Sequence, residues 1–136
     1  RQACDAVDGL TARTLAVQKG DSILDAAISE IMAQDNPPTA LCFHQDSQAI
    51  PLFFRLQRSG LSVPGDISVT GFDDSTFAKE AELTTVRQRP YDMAVDAAQK
   101  ALALIEGQPI EEPFETFPVQ LQVRNSTAKP RTAPLL

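Results

Sequence analysis

Cysteine is scarce in this chain of 136 residues, which contains only Cys4 and Cys42. Their separation matches no metal-ligand spacing, and two cysteines are too few for the disulfide framework of a small secreted domain. We therefore expect reduced thiols, as in the cytoplasm. The sequence also lacks a phosphate-binding glycine loop, a cluster of metal ligands and a nucleophile paired with its base. It predicts neither an enzyme nor a cofactor.

Positive charge is also in the minority, because the chain has 12 Lys and Arg but 18 Asp and Glu. A net charge of -6 leaves no basic stripe to neutralise DNA phosphates, so any DNA contact belongs to residues outside this segment. No apolar run reaches the roughly 18 residues of a membrane span. The chain starts at Arg1 without a signal-peptide pattern, which predicts a piece of a longer protein.

Helical and extended patterns alternate along the first half of the chain. The predicted helices cover residues 3–14, 22–35 and 46–58. The predicted strands cover residues 14–17, 39–43 and 66–72. The strand at residues 39–43 is nearly all apolar, as expected for a parallel strand covered on both faces. This order predicts an α/β fold with a mainly parallel sheet flanked by helices.

Prolines and glycines delimit the second half. Residues 83–86 are predicted to be extended, and Pro90 suits the first turn of a helix that Gly107 ends. Residues 117–123 alternate as a final strand, followed by a polar, proline-rich tail.

Several blocks resemble the LacI/GalR family of transcriptional regulators. In order, they are Pro38-Thr39-Ala40-Leu41, Gln45-Asp46, residues 59–74 (SGLSVPGDISVTGFDD), residues 83–88 (LTTVRQ) and residues 123–127 (VRNST). The block at residues 59–74 is highly specific, because a helix end, a proline turn, a buried strand and an acidic pair follow in one fixed order. The resemblance covers almost the whole chain.

The resemblance implies part of a type I periplasmic-binding-protein-like fold, in which two subdomains close on a small effector, most often a sugar. It also implies a homodimer or larger oligomer, and operator DNA bound by a helix-turn-helix headpiece outside this chain. Residues 1–88 would belong to the C-terminal subdomain without its first strand, and residues 89–116 would return to the other subdomain. Residues 117–128 would form the final strand and residues 129–136 a flexible tail. The incomplete sheet predicts an exposed edge and an orphan helix.

The predicted effector contacts are Arg1, Ser22, His44, Gln45, Asp73 and Gln88. Asp73 follows the strand at residues 66–72, where open α/β sheets bind ligands, and would accept hydrogen bonds from ligand hydroxyls. The alternative for Asp73 is a helix-cap or loop carboxylate. Gln88 lies at the crossing between subdomains, and hinge packing explains it equally well. Asp74 is predicted to be structural.

The other candidates depend more on the resemblance. Arg1 falls at the family's Arg-x-x-Gly effector position, although it is also a solvated terminus here. Gln45 stands where the family usually has Asn, and Asp46 after it is interpreted as a helix cap, with a direct ligand contact as the alternative. Ser22 replaces an aromatic that would stack on the effector, so the pocket loses a wall. His44 is more often a core or rim residue than a ligand, but it permits a pH dependence.

The predicted helix at residues 46–58 is apolar on too many sides for one buried face. By the resemblance, Ile50, Phe53 and Phe54 form an isologous dimer contact, with an ordinary core as the alternative.

Two other readings remain. A free-standing periplasmic sugar-binding protein would share the fold but carry a signal peptide. A phospho-acceptor domain around Asp73 and Asp74 would need a second phosphorylatable Asp and a strand-end Lys, and neither stands at a fitting place.

Overall fold

The computed structural model describes residues 8–14, 26, 28–29 and 32–132. The chain divides into two compact units, residues 1–37 and 38–136. In the first unit, residues 26, 28, 29 and 32 are helical, and the backbone N–H of Ala33 donates to the carbonyl of Ser29 at 3.0 Å. This helix ends before the Asn36-Pro37 pair, as the sequence predicts.

The predicted helix at residues 3–14 is wrong over residues 8–14, which are not helical. Asp8 and Gly9 form a turn in which Gly9 has a φ of 79°, a conformation that an α-helix cannot contain. Residues 3–7 and the predicted strand residues 15–17 lie outside the described part of the chain.

The second unit carries the elements that position the site. Its described elements are β1 (Ala40–Cys42), α1 (Asp46–Arg58), β2 (Ser68–Thr70), α2 (Thr76–Glu80), β3 (Thr85–Arg87), α3 (Pro90–Ile105) and β4 (Gln120–Gln122). All except α2 were predicted, although the strands are shorter than expected. Helix α2 has five residues and escaped detection because one helical turn shows no periodicity. The Ser75 hydroxyl caps it by accepting from the backbone N–H of Ala78 at 3.2 Å.

The strands follow one another across the unit in chain order. Strands β1 and β2 are parallel, with Leu41 opposite Val69. A parallel bridge joins Thr70 to Thr84 just before β3, and the N–H of Gly71 donates to the carbonyl of Thr84 at 3.0 Å. Strand β4 runs antiparallel to β3. The mainly parallel arrangement therefore holds up to β3, and β4 is the one described strand that runs in the opposite direction.

The core lies between α1, α2 and the sheet. Helix α1 contributes the fully buried Ala49, Leu52 and Leu56, which lie on one face at helical spacing. Their fully buried partners from the sheet and α2 are Ile67, Val69, Ala78 and Leu83. Helix α1 packs against both β2 and α2. This face fixes where α1 begins, and hence the loop that precedes it.

Two outer elements are poorly covered. Ala40 and Cys42 of β1 are exposed, so the expectation of a strand covered on both faces is wrong for this chain. Helix α3 begins at Pro90 as predicted, and none of its residues is buried. Its exposed apolar side chains are Tyr91, Met93, Val95, Leu102, Leu104 and Ile105.

The Cys42 thiol is free and exposed. The Arg131 guanidinium donates to the carbonyl of Asp66 at 3.0 Å, whereas residues 133–136 lie outside the described residues. Within the described ranges, no helix has the length and hydrophobicity required to cross a membrane.

Candidate functional site

The candidate site lies at the carboxyl ends of β1, β2 and β3. Because these strands run in one direction, the residues that follow them meet at one edge. His44 and Gln45 follow β1 and are exposed there. Asp73 follows β2, and Gln88 directly follows β3. Arg1 and Ser22 lie outside the described residues, so their predicted contacts remain predictions.

Asp73 and Gln88 form a polar pair at this edge. The Gln88 Nε2 donates to Asp73 Oδ1 at 2.9 Å, with Asp73 exposed and Gln88 half-buried. The pair offers carboxylate and amide oxygens as acceptors and an amide N–H as a donor. Such a combination suits a ligand that carries several hydroxyl groups.

The loop that carries Asp73 is held by its own backbone. The N–H of Asp46 donates to the carbonyl of Phe72 at 2.8 Å, which joins the loops after β1 and β2. The N–H of Asp73 donates to the carbonyl of Val86 at 2.9 Å, which joins the same loop to β3. Asp73 and Asp74 have φ angles of 116° and 55°. Non-glycine residues in such regions cost about 1–3 kcal/mol each and persist only when their surroundings impose them.

Asp46 braces this loop and does not cap a helix. It is the first residue of α1, whereas the N-cap is Gln45, whose side chain makes no capping hydrogen bond. The buried Asp46 carboxylate accepts from the Thr85 hydroxyl at 2.6 Å and from the Ser75 backbone N–H at 2.8 Å. The predicted cap is therefore wrong, because the carboxylate turns towards β3. Gly71 makes room for it, since a Cβ there would overlap Asp46 Oδ1.

Asp74 is a buried structural carboxylate, as predicted. Its side chain is 2% exposed and accepts from Arg87 Nε at 2.6 Å and from the Arg124 guanidinium. Lys79 Nζ lies 4.0 Å away. Burial acts to raise the pKa of Asp74, but the hydrogen bonds and charges of Arg124 and Arg87 outweigh it and hold the pKa below its ordinary range. Asp74 is therefore ionised at neutral pH.

The segment after β4 supplies Arg124, the second charged partner of Asp74. Arg124 donates from Nη1 to the carbonyl of Leu83 at 2.7 Å while it binds Asp74. Sequence reasoning assigned no role to Arg87, Arg124 or Thr85. All three fall inside the blocks that carry the family resemblance, which was the available signal.

Helix α1 presents a second surface. Phe54 is 48% exposed, and Ile50 and Phe53 are half-buried beside it. The rings of Phe53 and Phe54 meet edge to face with centroids 5.4 Å apart. The predicted dimer residues therefore lie on a partly uncovered side of α1.

Over the ranges that the structure describes, no group of three His, Cys, Asp or Glu is placed to hold a metal ion.

The model of one protein family, the periplasmic binding protein-like domain, matches residues 1–127. The arabinose metabolism transcriptional repressor of Geobacillus stearothermophilus is 40% identical over 97 residues, covering 69% of this chain and 27% of the repressor. The HTH-type transcriptional regulator GalR of Escherichia coli is 35% identical over 108 residues, covering 78% of this chain and 32% of GalR. The chain belongs to the periplasmic binding protein-like domains of the LacI/GalR family. It spans between a quarter and a third of the length of these two relatives.

Solved structures agree with this LacI/GalR assignment. A LacI family transcriptional regulator from Bifidobacterium animalis is 28% identical and superposes with a TM-score of 0.76 over 88% of this chain and 45% of its own. A LacI family regulator from Lactobacillus casei, solved with bound sucrose, is 29% identical with a TM-score of 0.62 over 75% of this chain and 38% of its own. The predicted family and fold class are confirmed.

Proposed function

We propose that this chain is the effector-sensing part of a LacI/GalR-type transcriptional regulator, that it binds a sugar or sugar derivative and that it catalyses no reaction. The observation that carries the proposal is the Asp73–Gln88 pair, joined at 2.9 Å on the carboxyl edge of the sheet. Open α/β sheets bind ligands at this edge. One relative is named for arabinose metabolism, and one similar structure holds sucrose.

The chemistry of the edge suits a hydroxylated ligand. Adjacent sugar hydroxyls donate to a carboxylate and also accept from an amide, which is the combination that Asp73 and Gln88 offer. His44 and Gln45 extend the polar edge after β1. Arg1 and Ser22 complete the proposed set, with Arg1 as a planar donor to hydroxyl pairs.

The rest of the regulator lies outside this chain. Residues 89–116 are proposed to return to the other subdomain, because no residue of α3 is buried here. Closure of the subdomains on the effector would change the spacing of two DNA-binding headpieces in a homodimer. Couplings of this kind typically amount to about 1–3 kcal/mol. The regulator is proposed to act in the cytoplasm, where its operator DNA is.

A periplasmic sugar-binding protein of a transporter is less well supported. The relatives described above are transcriptional regulators, although the fold would serve either function.

The test is a thermal-shift screen of the full-length protein against L-arabinose, D-galactose, sucrose, nucleosides and purines. A ligand at 100 times its dissociation constant adds about 2.7 kcal/mol to the free energy of unfolding. Asp73→Asn should abolish the shift, whereas Glu80→Gln, at an exposed carboxylate on the end of α2, should leave it unchanged. A shift that survives Asp73→Asn would reject this edge as the site, and hits confined to purines or nucleosides would reject a sugar.

A further inference from the structure

Asp73 and Asp74, in the loop after β2 (the β2 loop), face Arg87 at the end of β3 and Gln88 directly after it. At the surface, Gln88 donates to Asp73. One residue further in, Arg87 Nε donates to Asp74 Oδ2 at 2.6 Å. The contact between Asp74 and Arg87, the inner contact, joins two full charges. The contact between Asp73 and Gln88, the outer contact, joins one charge to an amide.

The outer contact is too exposed to fix the geometry alone. Water competes for both Asp73 and the Gln88 amide, and exposed hydrogen bonds contribute little net free energy. The φ of 116° at Asp73 also favours relaxation of the loop if nothing opposes it. The inner contact opposes it, because the Asp74 carboxylate is buried and its contact with Arg87 is charge-assisted.

We propose that Arg87 is a positioning residue, which holds the β2 loop against β3 so that Asp73 and Gln88 meet the effector as a preformed pair. The inference rests on the proposed function. An effector hydroxyl then replaces the exposed contact between Asp73 and Gln88, while the inner contact keeps their spacing. Prior ordering of this kind raises affinity because less freedom is lost on binding.

Replacing Arg87 still leaves the buried Asp74 carboxylate with a positively charged partner. Asp74 also binds Arg124, which is far less exposed than Arg87 and holds the carbonyl of Leu83 as well. Arg87→Met therefore leaves Asp74 paired with Arg124 and removes only its charge-assisted contact with β3. The backbone contacts of the loop, from the Asp73 N–H to the carbonyl of Val86 and from the Asp74 N–H to Thr85 Oγ1, remain. Arg89→Met is a matched control, since Arg89 is similarly exposed and pairs with Asp92 at the start of α3.

The experiment uses the full-length protein with Arg87→Met, Arg87→Lys and Arg89→Met. Amide hydrogen exchange is followed at residues 73–75, and affinity for L-arabinose, D-galactose and sucrose is measured by calorimetry. Arg87→Met should speed exchange at residues 73–75 and weaken binding about tenfold, the lower end of the losses seen when outer partners of ligand contacts are removed in metal sites. Arg87→Lys should restore part of both, because the charge remains. Arg89→Met should change neither.

The outcomes separate the two proposals. If the parent binds none of the three sugars, the proposed sugar effector fails, while unchanged exchange in Arg87→Met would overturn the positioning role on its own. If the parent binds a sugar and Arg87→Met binds it equally well, only the positioning role is overturned. An equal loss of affinity in Arg89→Met would show that removing any nearby positive charge weakens binding. That result would also overturn the positioning role of Arg87.

Discussion

The Ser126 hydroxyl donates to the carbonyl oxygen of Val69 at 2.6 Å, although the two residues are 57 positions apart. The N–H of Val69 donates in return to the carbonyl of Ser126 at 2.9 Å. The same hydroxyl oxygen accepts from the backbone N–H of Thr84 at 2.8 Å. One fully buried serine thus links the middle of β2 to the residues that lead into β3.

Ser126→Ala should destabilise the protein by roughly 3 kcal/mol, because two buried backbone groups, the Val69 carbonyl and the Thr84 N–H, lose this partner. Urea denaturation of the full-length protein measures the change. Ser59→Ala is the matched control, since its exposed hydroxyl donates only to the carbonyl of Arg55 at the end of α1. Equal losses in the two variants would contradict the stabilising role assigned to the Ser126 contacts.

Gly71→Ala should cost about 3 kcal/mol through overlap. The added Cβ would collide with Asp46 Oδ1 and lie 2.9 Å from Cδ2 of Leu83, so the contact between Asp46 and Thr85 would have to shift. Gly60→Ala meets nothing within 4 Å and should cost only about 1 kcal/mol, from its φ of 87°. Thermal unfolding compares the two, and a loss at Gly60 as large as that at Gly71 would contradict the steric explanation.

Asp74 should make stability depend on pH in the acid range. Its pKa is lower in the folded than in the unfolded state, so its contribution is complete above about pH 4 and is lost as the pH falls further. Asp74→Asn should be about 3 kcal/mol less stable at pH 7, and the gap should narrow below pH 4. Unfolding measured from pH 7 to pH 3 tests this. A gap that stays constant would contradict the assigned pKa direction.

Asp96→Asn is the control for that titration. The pKa of Asp96 is also lowered, chiefly by its hydrogen bond to Lys100, but this contact lies on the surface of α3. Solvent weakens such pairs, so the variant should follow the parent closely across the pH range.

Phe54→Ser should weaken the proposed homodimer by roughly 2 kcal/mol, because a large aromatic side chain would be lost from the contact. Sedimentation of the full-length protein over a range of concentrations measures this. Phe77→Ser is the matched control, since Phe77 of α2 is 70% exposed and lies outside the proposed contact. Identical masses for the parent and Phe54→Ser would contradict the predicted interface.

Much of the fold followed from local sequence patterns. Asp46 and Gly60 delimit α1, and Pro90 and Gly107 delimit α3, so both helices were predicted nearly to the residue. The position of Asp73 after a buried strand placed it at the carboxyl edge of the sheet for the same reason. Such signals lie within a few residues of the element they define.

The partners of the buried carboxylates could not be predicted in this way. A helix-starting aspartate is usually a cap, and nothing near Asp46 indicates a hydrogen bond to Thr85, 39 residues later. Arg124 meets Asp74 from 50 residues away. The family resemblance included all of these segments but assigned no contact between them.

The contacts between Ser126 and Val69 can form only after Ser126 has been synthesised. Ribosomes add about 5–20 residues per second, so β2 emerges roughly 3–11 s before Ser126, given the 57 residues between them. For that interval Val69 lacks its later partner, and the nascent chain presents an open sheet edge. During that interval the N–H and carbonyl of Val69 stay open to water or to another chain, as at any unpaired strand edge.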